Sequence, residues 1–178
     1  VRNLKISNTP YLRGILSAPA SKSHSMRALL FAALARGTSK LRNILDSPDV
    51  QAMINACEQL GASYYRVSDS EYRVEGIAGE LRCPVSAINA GNSGTLARCI
   101  MGLLSGTQNT IILKGDKSLS KRDFKRVIEP LNCFGVVVNS NNGTLPLKLK
   151  GSELIRPIEY IEKKGSAQVK TCIILSAI

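Results

Sequence analysis

Two periods of apolar residues alternate along this chain, and they do so twice in the same order. The apolar stretch Ala28–Ala35 follows the polar run Ser21–Arg27 and predicts a helix through Arg36. Gly37-Thr38 then precedes a short strand, Leu41–Leu45. Ser47-Pro48 opens a second helix, with Val50, Met53, Cys57 and Leu60 on one stripe, that stops at Gly61. A hairpin follows, Ser63–Val67 and Glu71–Glu75 across Ser68-Asp69-Ser70, and ends at Gly76. The second round runs helix Ser93–Ser105, Gly106-Thr107, strand Thr110–Lys114, and a helix that stops at Gly135. The stripe of that helix is Phe124, Val127, Ile128, Leu131 and Phe134. Its hairpin, Val136–Asn139 and Leu145–Leu149 across Ser140–Thr144, ends at Gly151.

The two stop glycines, Gly61 and Gly135, lie 74 positions apart and sit where left-handed backbone is needed. Ser120-x-x-Asp123 resembles a capping box for the second unit's later helix. A strand before each first helix, Tyr11–Leu16 or Val85–Asn89, completes a strand–helix–strand–helix–strand–strand unit. The fold class is therefore α/β, with two complete βαβαββ units. Ile155–Ile161 and a helix from Ser166 begin a third unit, and Ile178 falls inside that apolar helix, so the expectation is a portion of a longer protein.

Composition narrows the chemistry. With 178 residues, 44% of them hydrophobic, the chain can bury one sizeable core. It has no 18-residue apolar span and no signal-peptide pattern at its start. Five scattered cysteines without a C-x-x-C read as reduced core thiols of a cytoplasmic protein. One histidine, His24, leaves no His-based metal cluster or Ser-His-Asp triad to build, and no metal or cofactor is expected. The net charge of +11 admits nucleic acid or anionic metabolites as partners. Dispersed Lys and Arg, 4% aromatics and no tryptophan favour small anions over single strands.

Three helix starts carry the candidate chemistry. Ser21-Lys22-Ser23-His24-Ser25-Met26-Arg27 places hydroxyls and cations where backbone N–H groups lack partners and the helix dipole is positive. Ser23 and Arg27, four apart, share a helix face and suit a carboxylate or phosphate. Gly91-Asn92-Ser93-Gly94-Thr95 allows close backbone approach to a ligand, with Arg98 one turn beyond Gly94. Gly165-Ser166-Ala167-Gln168-Val169-Lys170 repeats the arrangement. Each alone also fits an ordinary capped helix. Equivalent starts in a three-fold arrangement can converge on one polyanion-binding point.

The segments A-P-A-S-K-S-H-S-M-R-A (18–28), G-N-S-G-T-L-A-R (91–98), G-D-K-S-L-S-K-R (115–122) and G-S-A-Q-V-K (165–170) together resemble the 5-enolpyruvylshikimate-3-phosphate synthase family. The resemblance covers nearly the whole chain. It implies two domains of three βαβαββ units each, joined across residues 1–20, which would begin in the C-terminal domain. Residues 21–178 would be the N-terminal domain, cut within its third unit, with the C-terminal domain of the same protein as partner. Leu4–Ile6 and Tyr11–Leu16 would then be edge strands.

The implied reaction joins shikimate 3-phosphate to phosphoenolpyruvate and releases phosphate, in aromatic amino-acid synthesis. By motif, Lys22 would contact both substrates and be catalytic. Ser23 and Arg27 would hold the carboxylate of shikimate 3-phosphate, and Ser166 and Ala167 its phosphate. Gly94 and Arg122 would bind phosphoenolpyruvate, Gln168 would bridge both ligands, and Asn92, Ser93, Thr95 and Arg98 would shape the second helix start. Glyphosate-type inhibitors are candidate ligands of the same pocket. The family draws acid and base groups from its other domain, so the 178 residues alone are expected to be inactive. Asp49, Asp116 and Glu129 are expected to serve as caps or surface residues. Where the family typically has proline after the arginine, this chain has Asp123, which could pair with Arg122. The rivals are a UDP-N-acetylglucosamine enolpyruvyl transferase, which has Lys-Asn where this chain has Lys22-Ser23, and a basic nucleic-acid-binding module.

Overall fold

The structure, a computed structural model, describes residues 5, 7–11, 13–162 and 165–178. The first unit comprises α1 (Lys22–Leu34), β1 (Arg36–Leu41), α2 (Pro48–Gln59), β2 (Ser63–Ser68) and β3 (Glu71–Ile77). The second comprises β4 (Ile88–Asn89), α3 (Gly94–Leu103), β5 (Thr110–Lys114), α4 (Lys125–Cys133), β6 (Val137–Asn141) and β7 (Thr144–Lys150). One further helix, α5 (Ala167–Ser176), follows.

The internal repeat is visible in the sheets. The order is β1-β3-β2 in the first and β4-β5-β7-β6 in the second. Within each, the last strand of the hairpin sits in the middle and pairs antiparallel on both sides. The second sheet adds β4, parallel to β5. In β7, Leu145, Leu147 and Leu149 are buried while Pro146, Lys148 and Lys150 are exposed. Leu149 and Leu147 stand opposite Ile111 and Leu113 of β5, and each such side chain contributes roughly 1.5–3 kcal/mol by leaving water.

Both units end their second helix in one way. Gly61 and Gly135 take φ values of +112° and +97°. Ala62 N–H donates to the Cys57 carbonyl, and Val136 N–H to that of Leu131, both at 3.1 Å. This is the Schellman closure that glycine permits. Main-chain bonds also recur one unit apart: Arg82 N–H donates to the Leu60 carbonyl and Arg156 N–H to that of Phe134. The hairpin-ending glycines serve a different purpose. A Cβ on Gly76 would overlap the carbonyl oxygens of Ala35 and Ala32, and one on Gly151 those of Ser105, Thr107 and Leu104. Each sheet therefore touches the end of its unit's first helix by bare backbone.

Several sequence expectations shift. Helix α1 ends at Leu34, and β1 occupies Arg36–Leu41 instead of Leu41–Leu45. The ladder with Ile77–Tyr72 captures Arg36–Leu41, whereas Asn43 turns to φ +57° and the Leu45 N–H is drawn to the Ser25 hydroxyl at 2.9 Å. The capping box does not form. Ser120 Oγ donates to the Gly115 carbonyl, and Asp123 Oδ1 accepts from Lys125 N–H at 2.7 Å, with Phe124 at the cap position of α4. The second hairpin closes more tightly than expected, through Asn142 and Gly143 at φ +52° and +80°.

No strand forms at Tyr11 and 13–16 or at Ile155–Ile161, where no neighbouring ladder receives them, and β4 is confined to Ile88–Asn89. Of the segment Leu4–Ile6, residues 4 and 6 lie outside the described residues, as does residue 12. Cys57, Cys99 and Cys172 are buried, but Cys83 and Cys133 are exposed, so only three of the five are core thiols. No helix among the described residues is long and apolar enough to cross a membrane.

Candidate functional site

Parallel pairing of β4 with β5 sets two loops side by side. Asn89 ends β4 and runs into 90–93 and α3; Lys114 ends β5 and runs into 115–124. Ala90 N–H donates to the Lys114 carbonyl at 2.8 Å, and Asp116 N–H to the Gly91 carbonyl at 2.7 Å. Asp116 Oδ1 then accepts from the N–H groups of Ser118 and Leu119, which caps the short 3-10 turn Leu119–Lys121 and delivers Arg122 to the start of α3. Asp116 is thus a cap, as expected.

The three helix starts are built alike. Ser21, Ser93 and Ser166 each occupy the N-cap, and their hydroxyls accept from the N–H of His24, Leu96 and Val169 at 3.4, 3.2 and 3.4 Å. None of the three helices has an acid in its first turn, so each positive dipole end stays uncompensated by its own sequence.

Side chains tie these starts to one another. Ser93 Oγ lies 3.9 Å from Met26 Sδ of α1. Arg27 donates through Nη1 to the Ser23 carbonyl at 3.2 Å and through Nη2 to Thr171 Oγ1 of α5 at 3.4 Å. Arg98 Nη1 donates to the Gly94 carbonyl at 3.1 Å and to Gln168 Oε1 at 3.0 Å. The Gln168 amide in turn donates to Thr95 Oγ1 at 3.0 Å. Arg122 Nη2 donates to Asn92 Oδ1 at 3.1 Å. A Cβ on Gly94 would stand 2.6 Å from Arg98 Nη1, so a side chain there would push the Arg98 guanidinium from its place.

Of the residues expected at the site, Arg27, Asn92, Ser93, Gly94, Thr95, Arg98, Arg122 and Gln168 take part in these bonds, and Ser166 caps its own helix. Ser23 and Ala167 are exposed in the first turns of α1 and α5. Lys22 is turned to Asp49 at the start of α2, Nζ to Oδ2 at 2.9 Å. Sequence reasoning assigned Asp49 a cap or surface duty and so missed its pairing with Lys22. Thr171 and Phe124 were missed as the supports of Arg27 and Arg98. Thr171 stands one turn beyond Ala167, whose carbonyl accepts its hydroxyl at 2.8 Å. That spacing was its only signal. Asp123 does not pair with Arg122: its carboxylate caps α4, and its main-chain carbonyl accepts from Arg98 Nη2 at 3.4 Å.

Arg42, Arg66, Arg73 and Arg126 each lie within 4 Å of a carboxylate. Among the described residues, Arg13, Arg36, Arg82 and Arg156 have no carboxylate that close, and neither do Arg27, Arg98 and Arg122, which bond instead to carbonyl, hydroxyl or amide oxygens at these helix starts. Arg98 is half-buried over the Phe124 ring, its Cζ 4.7 Å from the centroid. Desolvation, then the nearby Arg122 and Arg126, hold its pKa below the ordinary arginine value, although a guanidinium remains charged at neutral pH. Such a cluster of cations and amide dipoles attracts an anion with several oxygens. The face is open; an apolar cavity of about 720 Å3, lined by Leu34, Leu103 and Leu175, lies at the opposite ends of α1, α3 and α5. No group of three or more His, Cys, Asp or Glu among the described residues is placed to hold a metal ion.

Comparison with known proteins agrees with the resemblance. The family model for EPSP synthase (3-phosphoshikimate 1-carboxyvinyltransferase) matches residues 6–178. A 3-phosphoshikimate 1-carboxyvinyltransferase of Koribacter versatilis is 35% identical over 99% of this chain and 41% of its own length. The Coxiella burnetii protein of the same name is 38% identical over 94% of this chain and 39% of its own length. The solved EPSP synthase of Acinetobacter baumannii superposes with a TM-score of 0.86 at 34% identity, over 92% of this chain and 37% of that one. The chain spans about two fifths of the length of these curated relatives. The chain belongs to the EPSP synthase family.

Proposed function

We propose that this chain supplies the shikimate 3-phosphate site and part of the phosphoenolpyruvate site of an enolpyruvyl transferase. The observation that carries this is the set of three carboxylate-free arginines, Arg27, Arg98 and Arg122, gathered at three serine-capped helix starts. In this reading the carboxylate of shikimate 3-phosphate lies on Ser23 and Arg27. Its phosphate lies on Ser166 and the Ala167 N–H, and phosphoenolpyruvate lies on the Gly94 backbone and Arg122. Gln168 reaches both ligands, and Lys22 leaves Asp49 to meet them.

The reaction is attack of the 5-hydroxyl oxygen on C2 of phosphoenolpyruvate while C3 gains a proton. The hydroxyl proton passes to a base in that step, and the tetrahedral adduct then loses phosphate as its C3 methyl gives up a proton to a base. Fixed cations on this face align the two anions and oppose their mutual repulsion. Proton transfer needs an acid and a base; of the carboxylates near this face, Asp116 and Asp123 are engaged as caps and Asp49 is paired with Lys22. The 178 residues therefore bind substrate without turning it over. Residues 1–20 as a crossover, 21–178 as one domain, a second domain of the same protein as partner, glyphosate-type inhibitors as ligands and a cytoplasmic setting belong to the same reading. The family match and the free thiols support it.

Titration of the chain with shikimate 3-phosphate by calorimetry tests it, with phosphate release followed in parallel after adding phosphoenolpyruvate. Weak, salt-sensitive binding is expected, without phosphate release above background. Binding of a UDP-sugar or of duplex DNA in place of shikimate 3-phosphate would overturn the reading, and ordinary steady-state turnover would overturn the claim of inactivity.

A further inference from the structure

Between β7 and α5 the chain runs from Gly151 to Ser166 without a strand or helix among its described residues. Ser166 is nevertheless an N-cap, and its place decides where the first turn of α5 points. Main-chain bonds fix the early part of this connection. Ser152 N–H donates to the Ser105 carbonyl at 2.7 Å, and Arg156 N–H to that of Phe134 at 3.1 Å. Ile155 and Ile158 then pack on the core. Further along, side chains take over. Arg126 Nη2, in the first turn of α4, donates to Glu162 Oε1 at 3.4 Å, and the Tyr160 hydroxyl donates to Glu162 Oε2 at 3.2 Å. The Glu162 side chain is 6% exposed, whereas every other ion-paired acid among the described residues is at least 20% exposed. A carboxylate withdrawn this far from water must keep its cation, so the pair resists separation. Arg126 is itself rooted on a rigid base, between the fully buried Phe124 and Val127. Ser166 lies four residues beyond Glu162, a reach of at most about 14 Å.

From this anchorage we propose that Glu162, seated on Arg126, is a positioning residue that sets the start of α5 and with it the phosphate site of Ser166 and Ala167. The inference deepens the functional reading and rests on it, since the phosphate is the ligand group assigned to that helix start. Glu162 touches no ligand in this scheme; it acts through the chain that leads to Ser166. The sign of its charge makes the role separable. An acid near a phosphate site repels the ligand, so an acid without positional duty would only weaken binding. Removing the charge while keeping the shape therefore sets two effects against each other. Loss of repulsion tightens binding, and loss of the anchor loosens it.

The test compares Glu162→Gln with the unaltered 178-residue chain, titrated calorimetrically with shikimate 3-phosphate and, separately, with phosphoenolpyruvate. The dissociation constant of shikimate 3-phosphate should rise about fivefold, the effect of one lost charge-assisted bond. That of phosphoenolpyruvate, assigned to Gly94 and Arg122, should stay within about twofold, as for an independent site. Unchanged or tighter binding of shikimate 3-phosphate overturns the proposal. An equal loss for both ligands overturns it too, since that marks a general weakening of the fold. Amide NMR on the ligand-free chain gives a second reading, with Tyr160→Phe as a milder variant that removes one hydroxyl. In both variants the N–H signals of Ala167 and Gln168 should move, while those of Gly94 and Thr95 hold still. Signals at the start of α5 that ignore both substitutions overturn the proposal without any ligand. If the unaltered chain binds neither substrate, the functional reading fails, and the amide signals still decide whether Glu162 sets the helix start. If it binds shikimate 3-phosphate and Glu162→Gln binds it as well or better, only the positioning role fails.

Discussion

The two repeats share a scaffold and differ in what they do with their charges. Counting back from the stop glycines, Asp49 and Asp123 occupy the same position, twelve residues before Gly61 and Gly135. Asp49 reaches across to Lys22 at the start of α1. Asp123 turns to its own helix, capping the Lys125 N–H, and lends only a carbonyl to Arg98. At the first helical position the first unit has Lys22 and the second Gly94, and the second unit draws its cations from Arg98 and Arg122. The first unit therefore carries a cation already held by an acid beside Arg27 on neutral oxygens, and the second carries at its helix start only arginines on neutral oxygens. Backbone geometry is repeated because folding requires it, whereas side-chain charge at the helix starts diverges between the units.

The largest effect that would break this comparison lies in the scaffold itself. Gly76→Ala and Gly151→Ala should each cost about 3 kcal/mol in urea unfolding, because the added methyl meets helix-end carbonyl oxygens that cannot withdraw. The two losses should be similar. If one glycine tolerated alanine and the other did not, the units would not be structural equivalents despite their common strand order.

The helix-stop glycines Gly61 and Gly135 were legible in the sequence because their demand is local, whereas Gly76 and Gly151 were legible only as punctuation of the repeat, since the carbonyls they approach are distant in sequence. So were Pro48 at a helix start and the alternation of β7, where the period alone separates buried leucines from exposed lysines. What could not be read depended on distant partners. The position of β1 was decided by the ladder it joins, not by the apolar content of Leu41–Leu45. The capping box at Ser120 lost to Asp123, a competition between two good caps that sequence spacing cannot rank. Within the candidate site the motifs named the residues, but the bond from Arg98 to Gln168 spans 70 positions, and the stacking of Arg98 on Phe124 follows from how loop 115–124 closes. Composition and spacing carry no such information.

A smaller effect sharpens the comparison at the helix starts. Ser93 is 1% exposed, and its hydroxyl both caps α3 and meets Met26, whereas Ser21 caps α1 from the exposed surface. Replacing Ser93 by alanine should cost between about 1 and 2 kcal/mol, and replacing Ser21 about 0.5 kcal/mol. Thermal or urea unfolding of the two variants checks the order. Equal losses would mean that the caps act only through their own helices, without the packing that ties α3 to α1.

The smallest effect concerns the Lys22–Asp49 pair, which has no counterpart at the second helix start. Lys22 and Asp49 are 52% and 20% exposed, so their attraction is largely offset by water and by the ordering of a long side chain. Asp49→Asn should lower stability by less than about 1 kcal/mol. Its effect on ligand binding should have the opposite sign. An incoming carboxylate or phosphate competes with Asp49 for the same ammonium and is repelled by the acid beside it. Removing that acid makes the first helix start resemble the second, with a cation and no counter-charge. Shikimate 3-phosphate should then bind about two- to threefold more tightly, with a steeper dependence on salt, because one more uncompensated charge faces the ligand. Calorimetry at two ionic strengths reads both quantities. A loss of affinity would instead mean that Asp49 aims Lys22 at the ligand, and the contrast between the units would then be one of positioning and not of charge.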